Sequence, residues 1–561
     1  MKFTQKRNDG AYPFAGRGYG RKAVPGKKTI LILGCGLMQR PAIETAKAWN
    51  WTVIGFDANP RAEAVPLCDR FEAVDISDTE AVVDAARRLQ AECGIDGVFT
   101  AGTDFSFNVA SAAKALGLPG LAPEAAFAAS NKAAMRAAFT RHGVSSPVFV
   151  TVASVGEAAA AALPPFPLVV KPVDNMGGRG TRRVDNEAGL SEAVTEALRF
   201  SRSGKAIIEE YIDGPEFSLD ALVCDGRVTI TGFADRHIFF PPYFIEMGHT
   251  MPTAAPAEVR RAAEAEFRKA VAALGLTTGA AKGDVKYSPA RRKAVIGEVA
   301  ARLSGGYMSG WTYPYASGIN VTAAALRLAV GLPPALPPRE RRRYSAERAF
   351  LSVPGEVVAV EGVETVLRRR CVRHLFMRAA VGGRVRFPRN NVEKCGNIIT
   401  AARTRRRAVH EADRAAERIL IRLKPGDPET EAFLIYGEGC VSSSEESSEK
   451  PGCEFFFKKK EENFCNLLIS YTQKPLFIEE KDCDAAFVRG LRRLRRMKLF
   501  VGEKKANLIL DGLFRRVYRR GGVQGAVWLA DSLQYFFKLG MLNEVLEKWC
   551  RNHSSSASSS D

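Results

Sequence analysis

Short apolar runs alternate with helical stretches over the first quarter of the chain. Lys28-Thr-Ile-Leu-Ile-Leu-Gly34-Cys-Gly36 reads as a buried strand running into a glycine turn. Residues 41–49 have a helical pattern, 51–57 a second strand ending in Asp57, and 97–104 a third strand with polar residues at its end. Such alternation predicts a doubly wound parallel sheet, in which ligands sit at the carboxyl ends of strands. The glycine turn lacks the third glycine of a dinucleotide fingerprint, which argues against a nicotinamide site. Ser130-Asn131-Lys132 then opens an alanine-rich helix, with Ser130 or Asn131 as N-cap and Gly143 as the residue just past its end.

Beyond residue 145 strands dominate. Residues 166–172 and 206–212 are short apolar strands. Residues 217–224 lead through the Asp225-Gly226 turn into 228–232, a hairpin signature. A helix over 257–274 separates these from strands at 281–287 and 294–302. Residues 332–338 form a proline-rich linker. Residues 340–425 read as a small β-rich unit closed by a helix over 404–422. A Ser/Glu linker spans 442–450. Residues 460–550 look helical, with Phe536, Phe537, Leu539, Leu542, Val545 and Leu546 as the buried side of a closing helix, before a flexible end at 554–561. No internal repeat is visible.

Composition narrows the function classes. Lysine and arginine number 81 against 62 acids, a surplus of 19. Arginines crowd at 339–343, 368–373, 403–407, 492–496 and 515–520. The surplus suits an anionic substrate or a nucleic acid, or reflects a generally basic proteome. The pairs at 492–496 have the helical spacing of a solvated face, with an RNA or protein docking surface as the rival. Eleven cysteines without any C-x-x-C pair speak against a disulfide framework or a zinc module and for a reducing, cytoplasmic setting. The basic, polar N-terminal stretch lacks the apolar region of a signal peptide. The chain has no run of about 18 apolar residues, so no membrane span is expected.

The strongest chemical signal is Phe166-Pro-Leu-Val-Val-Lys171-Pro-Val-Asp-Asn-Met-Gly177-Gly178-Arg-Gly180. A strand delivers a lysine, and a glycine run follows. A lysine ammonium suits a phosphate, and glycines let backbone N–H groups close over phosphate oxygens. The lysine precedes the glycines, so this is not a Walker A loop. Asp284 and Glu298 lie on successive strands, and two carboxylates suit Mg²⁺ shared with substrate phosphates. Taken singly they also read as surface acids of a hairpin. His237 and His249 read first as hydrogen-bonded structural histidines, and Tyr313 and Tyr315 as packing.

The order of these features resembles the ATP-grasp superfamily over about residues 28–425, close to the branch of carboxylate–amine ligases and 5-(carboxyamino)imidazole ribonucleotide synthase. The resemblance implies an α/β protein with an α+β ATP-grasp core. Its parts would be a basic disordered arm (1–27), a pre-ATP-grasp Rossmann-like domain (28–120), the ATP-grasp domain (121–330, lid about 145–205) and a small carboxylase-C-like domain (340–425). A linker (426–459), a helical domain of unknown role (460–550) and a flexible tail (551–561) would follow. It implies phosphate contacts from Lys132, Lys171 and the loop Gly177, Gly178 and Gly180. Glu209 would lie at the adenine edge, Tyr211 and Ile212 would supply hinge backbone, and Glu216 would bind ribose. Asp284 and Glu298 would hold Mg²⁺ or Mn²⁺, and Arg302 would meet the transferred phosphate. Arg236, His249, Ser304 and Gly305 would face the substrate, with Arg236 clamping a carboxylate.

Two departures stand out. Ala300 occupies the position where many members have a metal-ligating Asn, and Asp284 stands where Glu is commoner. The implied activity is Mg-ATP-dependent phosphorylation of a small carboxylate and coupling of the acylphosphate to an amine, with Lys132, Lys171 and Arg302 as the catalytic cations. Two alternatives stay open: a bicarbonate-using carboxylase-like enzyme, which the Glu-x-Ala-x-Arg pattern suits, and a non-catalytic nucleotide-binding adaptor that holds RNA or protein through its arginine-rich half. No membrane partner is implied, nucleic acid is not favoured, and a homodimer is open.

Overall fold

The computed structural model describes residues 12–15, 26–336 and 343–436, with nine further helical positions between 517 and 532. Most of the expected N-terminal arm, the end of the 332–338 linker, the Ser/Glu linker, most of the 460–550 segment with its proposed closing helix, the arginines at 339–342 and 492–496, and the tail lie outside the described residues. Contacts divide the chain into two units. The first comprises 1–347 with 389–392 and 399–409, and the second 348–388, 393–398 and 410–561.

The first unit opens with a parallel sheet: β1 (Thr29–Leu33), β2 (Thr52–Phe56), β3 (Arg70–Glu72) and β4 (Gly97–Phe99), in the order β3-β2-β1-β4. Ile30 pairs with Val53 on one side and Gly97 on the other. Both faces of β1 are apolar, and helices cover both, as a central parallel strand requires. Next comes a four-stranded sheet of β5 (Phe149–Val152), β6 (Leu168–Pro172), β7 (Arg182–Val184) and β8 (Ala206–Glu210), in the order β5-β8-β6-β7. Five further strands are consecutive neighbours in an antiparallel sheet: β9 (Glu216–Cys224), β10 (Arg227–Phe239), β11 (Ile245–Met251), β12 (Gly279–Ser288) and β13 (Lys293–Ala300). Their order is β13-β12-β9-β10-β11.

Residue alternation decides what this last sheet does. Ala281 and Val285 of β12, with Leu219 of β9 and Ile296 of β13, pack with Phe267 of the helix Ala257–Ala273. The intervening Lys282, Asp284 and Lys286 therefore face the other way. Along β13 the register slips: Val285 pairs with Ile296 but Asp284 pairs with Glu298, leaving Gly297 unpaired. This bulge turns Glu298 onto the face that carries Asp284.

Two expectations change. Residues 12–15 are docked, with Phe14 1% exposed, its carbonyl bonded by Asn320 Nδ2 at 3.0 Å and its ring edge-on to Tyr315. The basic and glycine-rich composition of the arm hid this aromatic anchor. The helix expected over 404–422 is Arg405–Ala416, and Leu420–Leu423 is a strand paired with Gly355–Glu361. The alternation of Leu420-Ile-Arg-Leu suits a strand better than a helix.

In the second unit, Arg384–Val385, Gly355–Glu361 and Leu420–Leu423 form a three-stranded sheet. The described tail positions belong with it. Trp528 is buried and donates from Nε1 to the Lys424 carbonyl at 3.0 Å, and Asp531 accepts two bonds of 2.6 Å from Arg422.

A Cβ at Gly283 would lie 2.5 and 2.6 Å from ring atoms of the buried Phe267. Gly283→Ala therefore overpacks the contact behind Asp284 and should cost about 1–3 kcal/mol. Denaturant unfolding checks this, and unchanged stability would mean that the helix yields freely.

Candidate active site

Lys132 is the first residue of the helix Lys132–Arg141, whose cap is the Asn131 side chain accepting from the Ala134 N–H. The cap fixes the start of the helix and so the lysine. Lys132 Nζ donates to the Asn175 carbonyl at 2.8 Å and stands 3.7 Å from Glu298. Lys171, on β6, lies 2.8 Å from Glu209 on the neighbouring β8. Arg136, one turn along from Lys132, is fully buried and stands 2.8 Å from the other Glu209 oxygen. This contact is an ion pair without a well-aligned hydrogen bond, since Glu209 Oε1 lacks a hydrogen-bond partner. Burial pushes the Lys171 pKa down, with Arg136 and Lys132 adding to the effect and Glu209 opposing it. Burial pushes Glu209 up, but Arg136 and Lys171 outweigh it and hold the carboxyl below its ordinary value.

The glycine loop follows β6 directly. Gly177, Gly178 and Gly180 have φ of +69°, +77° and +66°, which L side chains rarely adopt. The Tyr211 ring lies under the Arg183 guanidinium at 4.4 Å and the Lys286 ammonium at 4.8 Å, and the Ile212 carbonyl accepts from Lys286 at 3.0 Å.

Asp284 and Glu298 face each other across β12 and β13. Asp284 lies 2.5 Å from Lys282 and 3.1 Å from Arg236. Burial raises both carboxyls; Arg236 and Lys282 win at Asp284, and Lys132 and Lys282 win at Glu298, so both stay below the ordinary range. Asp284 Oδ1 is buried without a hydrogen-bond partner, an expensive state for a carboxylate and one that a cation would relieve. No group of three His, Cys, Asp or Glu placed to hold a metal ion exists among the described residues. Two protein carboxylates completed by phosphate oxygens and water is the usual way Mg²⁺ is held.

The expected substrate residues are nearby but engaged. Arg236 forms ion pairs with Glu216, Glu246 at 2.9 Å and Asp284 at 3.1 Å, through Nε and Nη1. In this arrangement it is the cation that lets Glu216, Glu246 and Asp284 share one site. Glu216 is held by Arg236 and by Lys286 at 3.7 Å. His249 Nδ1 pairs with Glu347 at 3.1 Å, and Nε2 stands 3.5 Å from Glu246. Ser304 donates to Asp220 at 2.6 Å, and burial pushes the Asp220 carboxyl up to about 6. The Gly305 carbonyl accepts from the Met308 N–H. Arg302 donates from Nε and Nη2 to Asp104 at 3.1 and 2.6 Å. Asp104 comes from the loop after β4, and that loop bridges Leu303 through Ala101.

Sequence reading missed Arg136, Lys282, Lys286, Glu347, Asp220 and Asp104 as members of this network. Lys282 and Lys286 carried a signal, since they alternate with Asp284 on one face of a strand. Asp104 carried another, as an acid at the end of a parallel strand. Arg136, Asp220 and Glu347 are brought in only by tertiary packing.

Comparison with known proteins accords with this geometry. Residues 49–120 match the ATP-grasp N-terminal domain family, 164–310 the ATP-grasp domain family, and 349–424 the family of L-amino acid ligase C-terminal domain 2. These matches give the chain an ATP-grasp core and support the carboxylate–amine ligase branch of that superfamily. Carnosine synthase 1 of Gallus gallus is 26% identical over 416 residues, covering 66% of this chain but 44% of its own length. The uncharacterized protein y4rH of Sinorhizobium fredii is 23% identical over 70% of this chain and 82% of its own. Among solved structures, an L-amino acid ligase from Bacillus licheniformis has a TM-score of 0.62 at 24% identity, covering 72% of this chain and all of its own. N5-carboxyaminoimidazole ribonucleotide synthetase from Thermotoga maritima has a TM-score of 0.54 at 17% identity, covering 71% of this chain and all of its own. At these identities the structural likeness speaks for the fold. No helix among the described residues is long and apolar enough to cross a membrane.

Lys171→Ala removes a cation that balances Glu209. Titration calorimetry with Mg-ADP should show weaker binding, and turnover should fall by about 10²–10³ if the lysine stabilises the transferring phosphate. Wild-type values for both would remove Lys171 from the site. Asp284→Asn should raise the Mg²⁺ concentration for half-saturation at least about 10-fold, read from Mg²⁺ titrations at fixed nucleotide; an unchanged curve would point to other ligands.

Proposed function

We propose that the chain is an ATP-dependent carboxylate–amine ligase whose substrates are amino acids or short peptides and whose product is a peptide-like amide. The observation that carries the reading is the network in which Lys132, Lys171, Lys282 and Arg302 act on the largely buried Asp284 and Glu298. Clustered cations suit a phosphoryl group in transfer, and paired carboxylates suit its counter-ion. Support for amino acid substrates comes from the L-amino acid ligase C-terminal domain match and from the carnosine synthases.

Lys132, Lys171 and the glycine loop bind and orient the ATP phosphates. Asp284 and Glu298 hold Mg²⁺, which when bound supplies Lewis-acid neutralisation of phosphate charge. A carboxylate oxygen of the first substrate forms a bond to the γ-phosphorus, and the bond from that phosphorus to the bridging oxygen of ADP breaks. Arg302, oriented by Asp104, stabilises charge on the group in flight. The amine nitrogen of the second substrate then attacks the acyl carbon, phosphate leaves, and the nitrogen loses a proton. No protein nucleophile is needed. The glycine loop excludes water from the acylphosphate.

Incubation with ATP, Mg²⁺ and pools of L-amino acids should release phosphate and yield dipeptides by mass spectrometry. Replacing the amine with hydroxylamine should trap the activated acid as a hydroxamate. Phosphate release stimulated by bicarbonate alone would favour a carboxylase. Nucleotide binding with no stimulation by any acceptor would sink the ligase reading and leave an adaptor.

Asp104→Asn should lower kcat by about 10-fold or more with a smaller change in KM for ATP, because it loosens a group that acts on transferring charge. Equal effects on binding and turnover would make Asp104 merely structural.

A further inference from the structure

The glycine loop does not hang free from β6. Asn391, more than 200 residues further along the chain, lies against it within the same unit. Its backbone N–H donates to the Gly177 carbonyl at 2.8 Å. Its side-chain Oδ1 accepts from the backbone N–H of Glu246 at 2.7 Å. A Cβ placed on Gly178 would stand 3.5 Å from Asn391 Nδ2, and one on Gly177 3.6 Å from Val392. One residue thus bonds the loop with its main chain and β11 with its side chain.

Glu246 carries its own load. Its carboxylate pairs with Arg236 and stands beside His249. The strand that Asn391 grips is therefore the one that bears Glu246 and His249, and Glu246 shares Arg236 with Asp284. A loop of three left-handed glycines has little intrinsic preference for one position and must be placed by contacts from outside.

We infer that Asn391 is a positioning residue that fixes the glycine loop relative to β11, so that the phosphate loop and the strand beside the substrate residues move together. The inference rests on the reading of the glycine loop as the phosphate lid. The Asn side chain is suited to it: a planar amide offers an acceptor to one backbone while the residue's own N–H serves another.

The loop carries its own reporter, because Arg179 lies between Gly178 and Gly180 and is a tryptic site. Limited trypsin digestion of the full chain, with mass spectrometry of the fragments, measures opening at that bond. Asn391→Ala deletes the acceptor for Glu246 and should speed cleavage after Arg179 by about 3- to 10-fold, the worth of one hydrogen bond. Asn391→Asp keeps an acceptor and should restore slow cleavage. Thermal unfolding of both variants should match wild type, since a general loss of stability would speed cleavage everywhere. Equal cleavage in wild type and Asn391→Ala, or acceleration that Asn391→Asp does not reverse, overturns the inference. The same digestion with the Mg complex of the β,γ-imido analogue of ATP separates the two claims. If the analogue protects neither wild type nor variant, the nucleotide reading of the loop fails, while the nucleotide-free comparison still decides whether Asn391 holds it.

Discussion

Charge balance in a buried site is the constraint from which the rest follows. Asp284 and Glu209 are withdrawn from water and Glu298, Glu216 and Glu246 partly so, and a buried carboxylate is costly alone. Lys132, Lys171, Lys282, Lys286, Arg136 and Arg236 are arranged so that none of the five stands alone. Oδ1 of Asp284, buried without a hydrogen-bond partner, lies where a cation would complete the balance. Such a network cannot lose a member without leaving an uncompensated charge, so the strands that carry it are held in register by electrostatics as well as by their apolar faces.

Geometry serves this balance. The face of β12 that bears Ala281, Gly283 and Val285 closes against Phe267, and the same alternation aims Lys282, Asp284 and Lys286 at the site. The bulge at Gly297 corrects the one mismatch, since without it Glu298 would point away from Asp284. The N-terminal parallel sheet contributes through its loop ends: Asp104 reaches Arg302, and the Ala101–Leu303 bridge fixes the distance over which it does so.

The basic surplus reads differently once the side chains have partners. Arg369 pairs with Glu411, Arg384 with Asp427 and Glu429, Arg405 with Asp235, and Arg422 with Asp531. Arg520 donates to the Leu434 and Ile435 carbonyls. These second-half arginines, three of them from the crowded groups, are joints within the fold, which weakens composition as an argument for nucleic acid. Lining up like residues along a sequence says little about charge in space, because acids distant in the chain meet them there.

The sequence alone determined the alternating first domain, a helix opening at Lys132, the Lys171–glycine loop and the two acids on successive strands. These are local matters: periodicity, caps, turn residues and glycine's freedom at positive φ act over a few residues and are written into them. Tertiary structure alone decided that Arg236 is engaged by three acids, that Phe14 is an anchor, and that residues 420–423 are a strand. It also decided that Arg136, Asp220 and Glu347 join the charge network. Each of these depends on which distant side chain stands opposite, and burial turns that choice into a large energy that local pattern does not encode.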